Sequence, residues 1–181
     1  MTQEEMQQLV EEVVHSAVEN VCGMMLGCPV EVQPKQIIAH PLQESDGVVA
    51  LVGMAGPWIG TGALTAKPEL ACKLAEAFLL QSYEKVNDEV LDAVAEIANM
   101  VFGNLKTIIE DRVGPMGLST PTTIFGASFT TKIGGTSSWT LIPVHVCGGE
   151  LLIQVCMLPN HEGRVPHRLD IVGHMITRVA T

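Results

Sequence analysis

Apolar and polar positions along this chain change their period several times, and each change marks an element. Over residues 4–26, Met6, Leu9, Val10, Val13, Val14, Ala17, Val18 and Val21 recur at helical spacing against Glu5, Glu11, Glu12 and Glu19. That predicts an amphipathic helix, ended by Gly27 and Pro29. An extended stretch follows over Val30–Ile38, then polar Gln43-Glu44-Ser45-Asp46-Gly47, where Asp-Gly predicts a tight turn. Val48–Met54 is an apolar run of strand length. Pro57, Gly60 and Gly62 predict a turn after it, with Ile59–Thr65 as the returning strand and Trp58 in the turn.

Pro68 opens a second helix over Glu69–Gln81, with Leu70, Leu74, Ala77 and Phe78 inward. A third runs from Asp88 to Glu110 and is broken by Gly114, Pro115 and Gly117. Three β-rich runs complete the pattern, Thr123–Lys132, Trp139–Val146 and Leu151–Leu158, with Gly134-Gly135 and Gly148-Gly149 as turns. The tail from Asn160 carries a short helical pattern over Leu169–Val179. Helix followed by antiparallel strands occurs twice. The expectation is an α+β fold, a mostly antiparallel sheet with packed helices in two pseudo-repeated halves. Residues 1–158 read as a single domain and 159–181 as a C-terminal extension.

Composition narrows the function. Of 181 residues, 47% are hydrophobic but only 4% aromatic, so the core is aliphatic and there is no stacking platform for bases. A net charge of -10 repels phosphate backbones, which argues against nucleic acid and for a partner with exposed lysines. Five cysteines (Cys22, Cys28, Cys72, Cys147 and Cys156) form no CxxC. They read as buried, reduced thiols of a cytoplasmic protein. The acidic start Met1-Thr2-Gln3-Glu4-Glu5 lacks a signal-peptide pattern, and no apolar run reaches membrane-spanning length.

The third helix carries the candidate chemistry. On a helical wheel Leu91, Val94, Ala98, Val101 and Leu105 share one face, and Asp92, Glu96, Asn99 and Gly103 lie almost opposite. Carboxylate and carboxamide thus project one turn apart from one outer stripe. A carboxylate can hold a partner's lysine, and an amide can donate to and accept from a water. A water held in line with phosphorus is a positioned nucleophile, which is most of what phosphoryl transfer asks of a protein. The stripe has no His, Cys or Ser nucleophile, so attack by water fits better than covalent catalysis. Polar residues on an outer helix face are, taken alone, the ordinary solvated surface.

Asp92-Ala93-Val94-Ala95-Glu96-Ile97-Ala98-Asn99-Met100-Val101-Phe102-Gly103-Asn104 resembles the hallmark helix of the CheC/CheX/FliY phosphatases, D/S-x3-E-x2-N, and Pro121 matches the proline that follows it in that family. Val48–Leu80 also resembles the family's strand, glycine turn, strand, helix succession. The resemblance implies a CheX-like phosphatase acting on the aspartyl-phosphate of a CheY-like receiver in chemotaxis or related two-component signalling. Glu96 would pair with a receiver lysine and Asn99 would orient the water. Asp92, Gly103 and Pro121 would belong to the docking surface. It also implies no cofactor or metal in this chain, with Mg2+ on the receiver. In the first helix, Glu12 is followed at +3 by His15 and Glu19 by Cys22, so the asparagine is missing there. A single copy is the CheX pattern and implies a homodimer through sheet edges; Ala95 stands where the family often has Gly.

A second reading from a different class uses the same stripe: a non-catalytic module that docks on a receiver or flagellar-switch protein. The glycines of 53–62 match no phosphate loop, and His161, His167 and His174 have no metal-ligand spacing, which makes them residues of an exposed tail.

Overall fold

The structure is a computed structural model that describes residues 1–39, 44–133, 138–160 and 175–178. Its helices are α1 (Gln3–Val18), α2 (Pro68–Leu79) and α3 (Asp88–Val113). Its strands are β1 (Val30–Val32), β2 (Gln36–Ile38), β3 (Glu44–Ala55), β4 (Trp58–Ala66), β5 (Gly117–Leu118), β6 (Thr122–Ile133), β7 (Trp139–Val146), β8 (Gly149–Pro159) and β9 (Met175–Arg178). All pair antiparallel in one sheet of order β1-β7-β8-β4-β3-β6-β9, with β2 also on β7 and β5 also on β3. This is the α+β architecture expected from the periodicity.

The order explains the repeat. Two hairpins, β3–β4 and β7–β8, meet along β4 and β8 at the centre, and β6 and β1 flank them on opposite sides. From Val48 on β3, and along β8, successive side chains take opposite faces of the sheet. Val48, Ala50, Val52 and Met54 of β3 and Leu151, Ile153, Val155 and Met157 of β8 join the core beneath the helices. Val49, Leu51 and Ala63 form a smaller buried cluster with Ile124 on the opposite face.

Helices α1 and α3 bury matching positions at a constant offset of 80 residues: Val10 and Val90, Val13 and Ala93, Val14 and Val94, Ala17 and Ile97, Val18 and Ala98, Val21 and Val101, Cys22 and Phe102. The helices then diverge. Where α3 stays regular, α1 runs into a π-helical turn, Glu19–Met25, closed by Leu26 N–H on the Val21 carbonyl (3.1 Å) and Cys28 N–H on that of Cys22 (3.0 Å). The wide turn changes the register. Met25, at the position of the fully buried Leu105, is left 59% exposed.

Several turn expectations are corrected. Asp46-Gly47 is a β-bulge inside β3, not a turn: the register slips between Ser45 and Gly47, and Gly47 adopts φ +123°. The β3–β4 turn is Gly56-Pro57, while Gly60 and Gly62 lie within β4. They are glycines because neighbours come too close. A Cβ on Gly60 would overlap the Cys156 carbonyl, and one on Gly62 would overlap the Phe102 ring. Trp58 belongs to β4 and is 5% exposed, in the core rather than at the surface.

In the second hairpin Val146 pairs with Gly149, so the two-residue turn is Cys147-Gly148, both left-handed at φ 49° and 74°, rather than Gly148-Gly149. Cys147 is disulfide-bonded to Cys28, which corrects the reading of five free thiols; Cys22, Cys72 and Cys156 are free and buried. Burial pushes the Cys22 thiol up to about 11. Residues 175–178 are a strand on β6, not part of a helix, since their backbone pairs over Thr130–Ile133. The remainder of that helical pattern, Gly134-Gly135, Gln43 and the three tail histidines lie outside the described residues. No helix among the described residues is long and apolar enough to cross a membrane.

Gly62→Ala puts a methyl group into the Phe102 ring and is expected to lower stability by about 1–3 kcal/mol in urea unfolding. Phe102→Leu should recover part of that loss in the double variant, because the two sites share one contact.

Candidate functional site

Helix α3 is held at both ends. Asn87 caps it by accepting the Val90 N–H (3.0 Å), and Asp88 and Glu89 place negative charge at the positive end of the helix dipole. At the other end the Glu110 carboxylate accepts from Lys106 Nζ (2.6 Å) and from the Met116 N–H (2.7 Å). These two contacts hold it below the usual carboxylate range, Lys106 first, and tie the helix to the segment that follows. Between the ends, Val90, Ala93, Val94, Ile97, Ala98, Val101, Phe102, Leu105 and Ile109 are buried against α1, α2 and the sheet. At about 100° per residue these positions take up roughly half of the wheel. The opposite half carries Asp92, Glu96, Asn99 and Gly103.

Asp92 and Glu96 are exposed, while Asn99 and Gly103 are half-buried. Among the described residues none of the Asp92, Glu96 or Asn99 side chains has a hydrogen-bond or ion-pair partner. Their neighbours are internally satisfied instead: Asn104 donates to the Met100 carbonyl (2.8 Å) and Thr107 to that of Gly103 (2.9 Å). The unpaired trio can therefore accept from a cation and orient a water without first breaking a bond. A Cβ on Gly103 would meet nothing within 4 Å, so its glycine answers no internal packing need.

Pro121 is not on this helix. It sits half-buried at the entrance to β6, on a segment zipped to β3: the Gly53 N–H donates to Ser119 Oγ and the Ser119 N–H to the Gly53 carbonyl, both at 2.9 Å. No hydrogen bond among the described residues joins it to the stripe.

One feature escaped the periodicity. A groove of about 460 Å3 runs beside the stripe, between the π-helical turn (Val21, Met25) and α3 (Met100, Gly103, Asn104, Ile108). The repeated triplets Val21-Cys22-Gly23 and Val101-Phe102-Gly103 could have signalled that these segments are paired. The offset of 80 also re-registers the first helix: Ser16 and Glu19 stand where α3 has Glu96 and Asn99. The pairs Glu12/His15 and Glu19/Cys22 are out of register with Glu96/Asn99, and Cys22 is wholly buried. The unpaired carboxylate–amide stripe thus occurs on α3 and not on α1. No three His, Cys, Asp or Glu side chains converge as a metal site among the described residues.

Residues 48–145, more than half of the chain, match the family described as chemotaxis phosphatase CheX. The chain resembles the crystal structure of chemotaxis protein CheX from Vibrio vulnificus, with TM-score 0.73, 25% identity and coverage of 82% of this chain and 99% of that one. It resembles a CheC-like superfamily protein from Shewanella sp. PV-4 with TM-score 0.74, 23% identity and coverage of 83% and 97%. A third likeness is to the CheX–CheY–BeF3–Mg2+ complex from Borrelia burgdorferi, with TM-score 0.65, 18% identity and coverage of 83% and 96%. No curated protein sequence matches.

Since Gly103 packs against nothing, Gly103→Ala is expected to raise stability by about 0.5–1 kcal/mol through the helical preference of alanine. A lower urea midpoint would show that the glycine is structurally required.

Proposed function

We propose that this chain, which belongs to the chemotaxis phosphatase CheX family, hydrolyses the aspartyl-phosphate of a CheY-like receiver domain with Glu96 and Asn99 of α3. The observation that carries the reading is the pair itself, one turn apart, facing outward and free of partners. Glu96 anchors an ammonium group of the receiver beside its phosphorylated aspartate. Asn99, with its amide both donating and accepting, holds a water in line with phosphorus. The water oxygen bonds to phosphorus as the bond to the aspartyl oxygen breaks. Inorganic phosphate leaves with the water's protons, and the aspartate is restored as a carboxylate. The chain brings no metal of its own; the divalent ion that neutralises the phosphoryl oxygens sits on the receiver.

Asp92 adds a second carboxylate to the docking face, and Gly103 keeps the next turn of α3 low enough for close approach. Pro121 shapes the adjoining segment from its zipped position on β3. The net charge of -10 suits a partner with exposed lysines, in the cytoplasm where receivers work. Two copies of the chain associate through the edges of the sheet to give a homodimer. In solution, light scattering at micromolar concentration is expected to give twice the chain mass.

Decay of a phosphorylated receiver distinguishes this reading from a module that only docks. Asn99→Ala is expected to lower the rate by about 100-fold with little change in affinity, since the water loses its holder. Glu96→Ala is expected to weaken docking by about tenfold or more, the cost of a lost charge-assisted contact. Undiminished decay with Asn99→Ala would remove the catalytic role. Binding by the wild type without faster decay would leave the docking module.

A further inference from the structure

Cys147 is set apart from the other four cysteines by its surroundings, and Cys28 by its bond to it. Cys22, Cys28, Cys72 and Cys156 are buried at 0%, 8%, 7% and 6% exposure. Cys147 stands half-buried in the β7–β8 turn, at a left-handed φ of 49° that asparagine or aspartate would adopt more easily. The Lys73 ammonium lies over the same turn, 3.5 Å from where a Cβ of Gly148 would stand. A cationic, partly open position is the setting in which thiolates exchange.

Cys28 sits at the other end of a different device. Its N–H closes the π-helical turn on the Cys22 carbonyl, one residue after Gly27 at φ 65°. That turn carries Val21 and Met25, which line one wall of the groove whose other wall is α3. The Cys28–Cys147 bond therefore runs from the β7–β8 turn to the foot of that wall, across a sequence separation of 119 residues.

We propose that Cys28 and Cys147 form a reversible thiol–disulfide site whose oxidised state fixes the π-helical turn as the groove wall facing Met100 and Gly103. The oxidant is glutathione disulfide. The Cys147 thiolate, the more open of the two, attacks one of its sulfurs and expels a glutathione thiolate. The Cys28 thiolate then attacks the Cys147 sulfur of the mixed disulfide and expels the second. Two electrons pass to glutathione and two glutathione thiols leave with the two protons. Excess glutathione runs the steps backwards and frees the foot of the turn. The effect on KM rests on the phosphatase reading of α3; the bond and its hold on the turn do not.

The test uses the full chain equilibrated with glutathione disulfide or with dithiothreitol. After oxidation, peptide mapping should find Cys28 linked to Cys147 and the other three thiols alkylated only on unfolding. On reduction, amide exchange over residues 19–28 should speed by about tenfold as that segment opens locally. The Cys28→Ser/Cys147→Ser variant should exchange at the fast rate in both conditions. The KM for a phosphorylated receiver should rise by about two- to fivefold on reduction, with kcat little changed. Five alkylated thiols after oxidation would overturn the site, and a bond without any change in exchange over 19–28 would overturn the tether. If bond and exchange respond while neither form speeds receiver decay, the phosphatase reading fails and the tether stands.

Discussion

The contact between Phe102 and Gly62 is the one on which the exposed stripe depends. Gly62 lies in β4, one of the two central strands, paired with Val52 on one side and Val155 on the other. The ring of Phe102 occupies the space where any side chain at that position would stand. A ring seated in the sheet fixes the rotation of α3 about its own axis. Asn99, three residues earlier, then stands about 60° further round the helix and cannot face the core. The caps at Asn87 and Glu110 set where the helix lies along the sheet, and Phe102 sets which face it shows. Positioning of this kind is what a water-directing amide needs, because small errors of aim cost large factors in rate.

The same position shows how the two halves drifted apart. Cys22 occupies the place of Phe102 in the first half and fills less space. There the chain turns to π-helical geometry within the same turn, and its outer positions carry Ser16 and Glu19 in place of Glu96 and Asn99. One helix kept a rigid seat and an unpaired stripe. The other became a wall of the neighbouring groove. π-helical turns of this sort recur where helices serve a functional site.

Much of this was legible in the chain beforehand. The starts of α2 and α3 and the break at Gly114 follow from Pro68 and the apolar spacing. Their last residues, Leu79 and Val113, fall two short of and three beyond the expected ends. The stripe follows from the same wheel. The family likeness turned a solvated-looking face into a candidate site, and its match over residues 48–145 gives that likeness its standing. What was not legible depended on contacts between distant residues. Gly60 and Gly62 look like turn glycines until Cys156 and Phe102 arrive from about 96 and 40 positions away in the sequence. Asp46-Gly47 has turn chemistry, yet pairing with β6 absorbs it as a bulge. Cys28 and Cys147 have no spacing that hints at each other. A strand at 175–178 exists only because β6 offers it an edge.

The central pairing of β4 with β8 has a consequence for how the chain is made. Trp58–Ala66 pairs early with β3 but finds its second partner only in residues 151–159, so the middle of the sheet cannot close until most of the chain has left the ribosome. The β3–β4 hairpin and α1 must wait with one apolar flank uncovered while the intervening residues are synthesised. Contacts this distant slow folding and leave strand edges open to the wrong partner. The two halves are therefore not modules that mature in turn. They are a single cooperative unit, completed only when its last hairpin arrives.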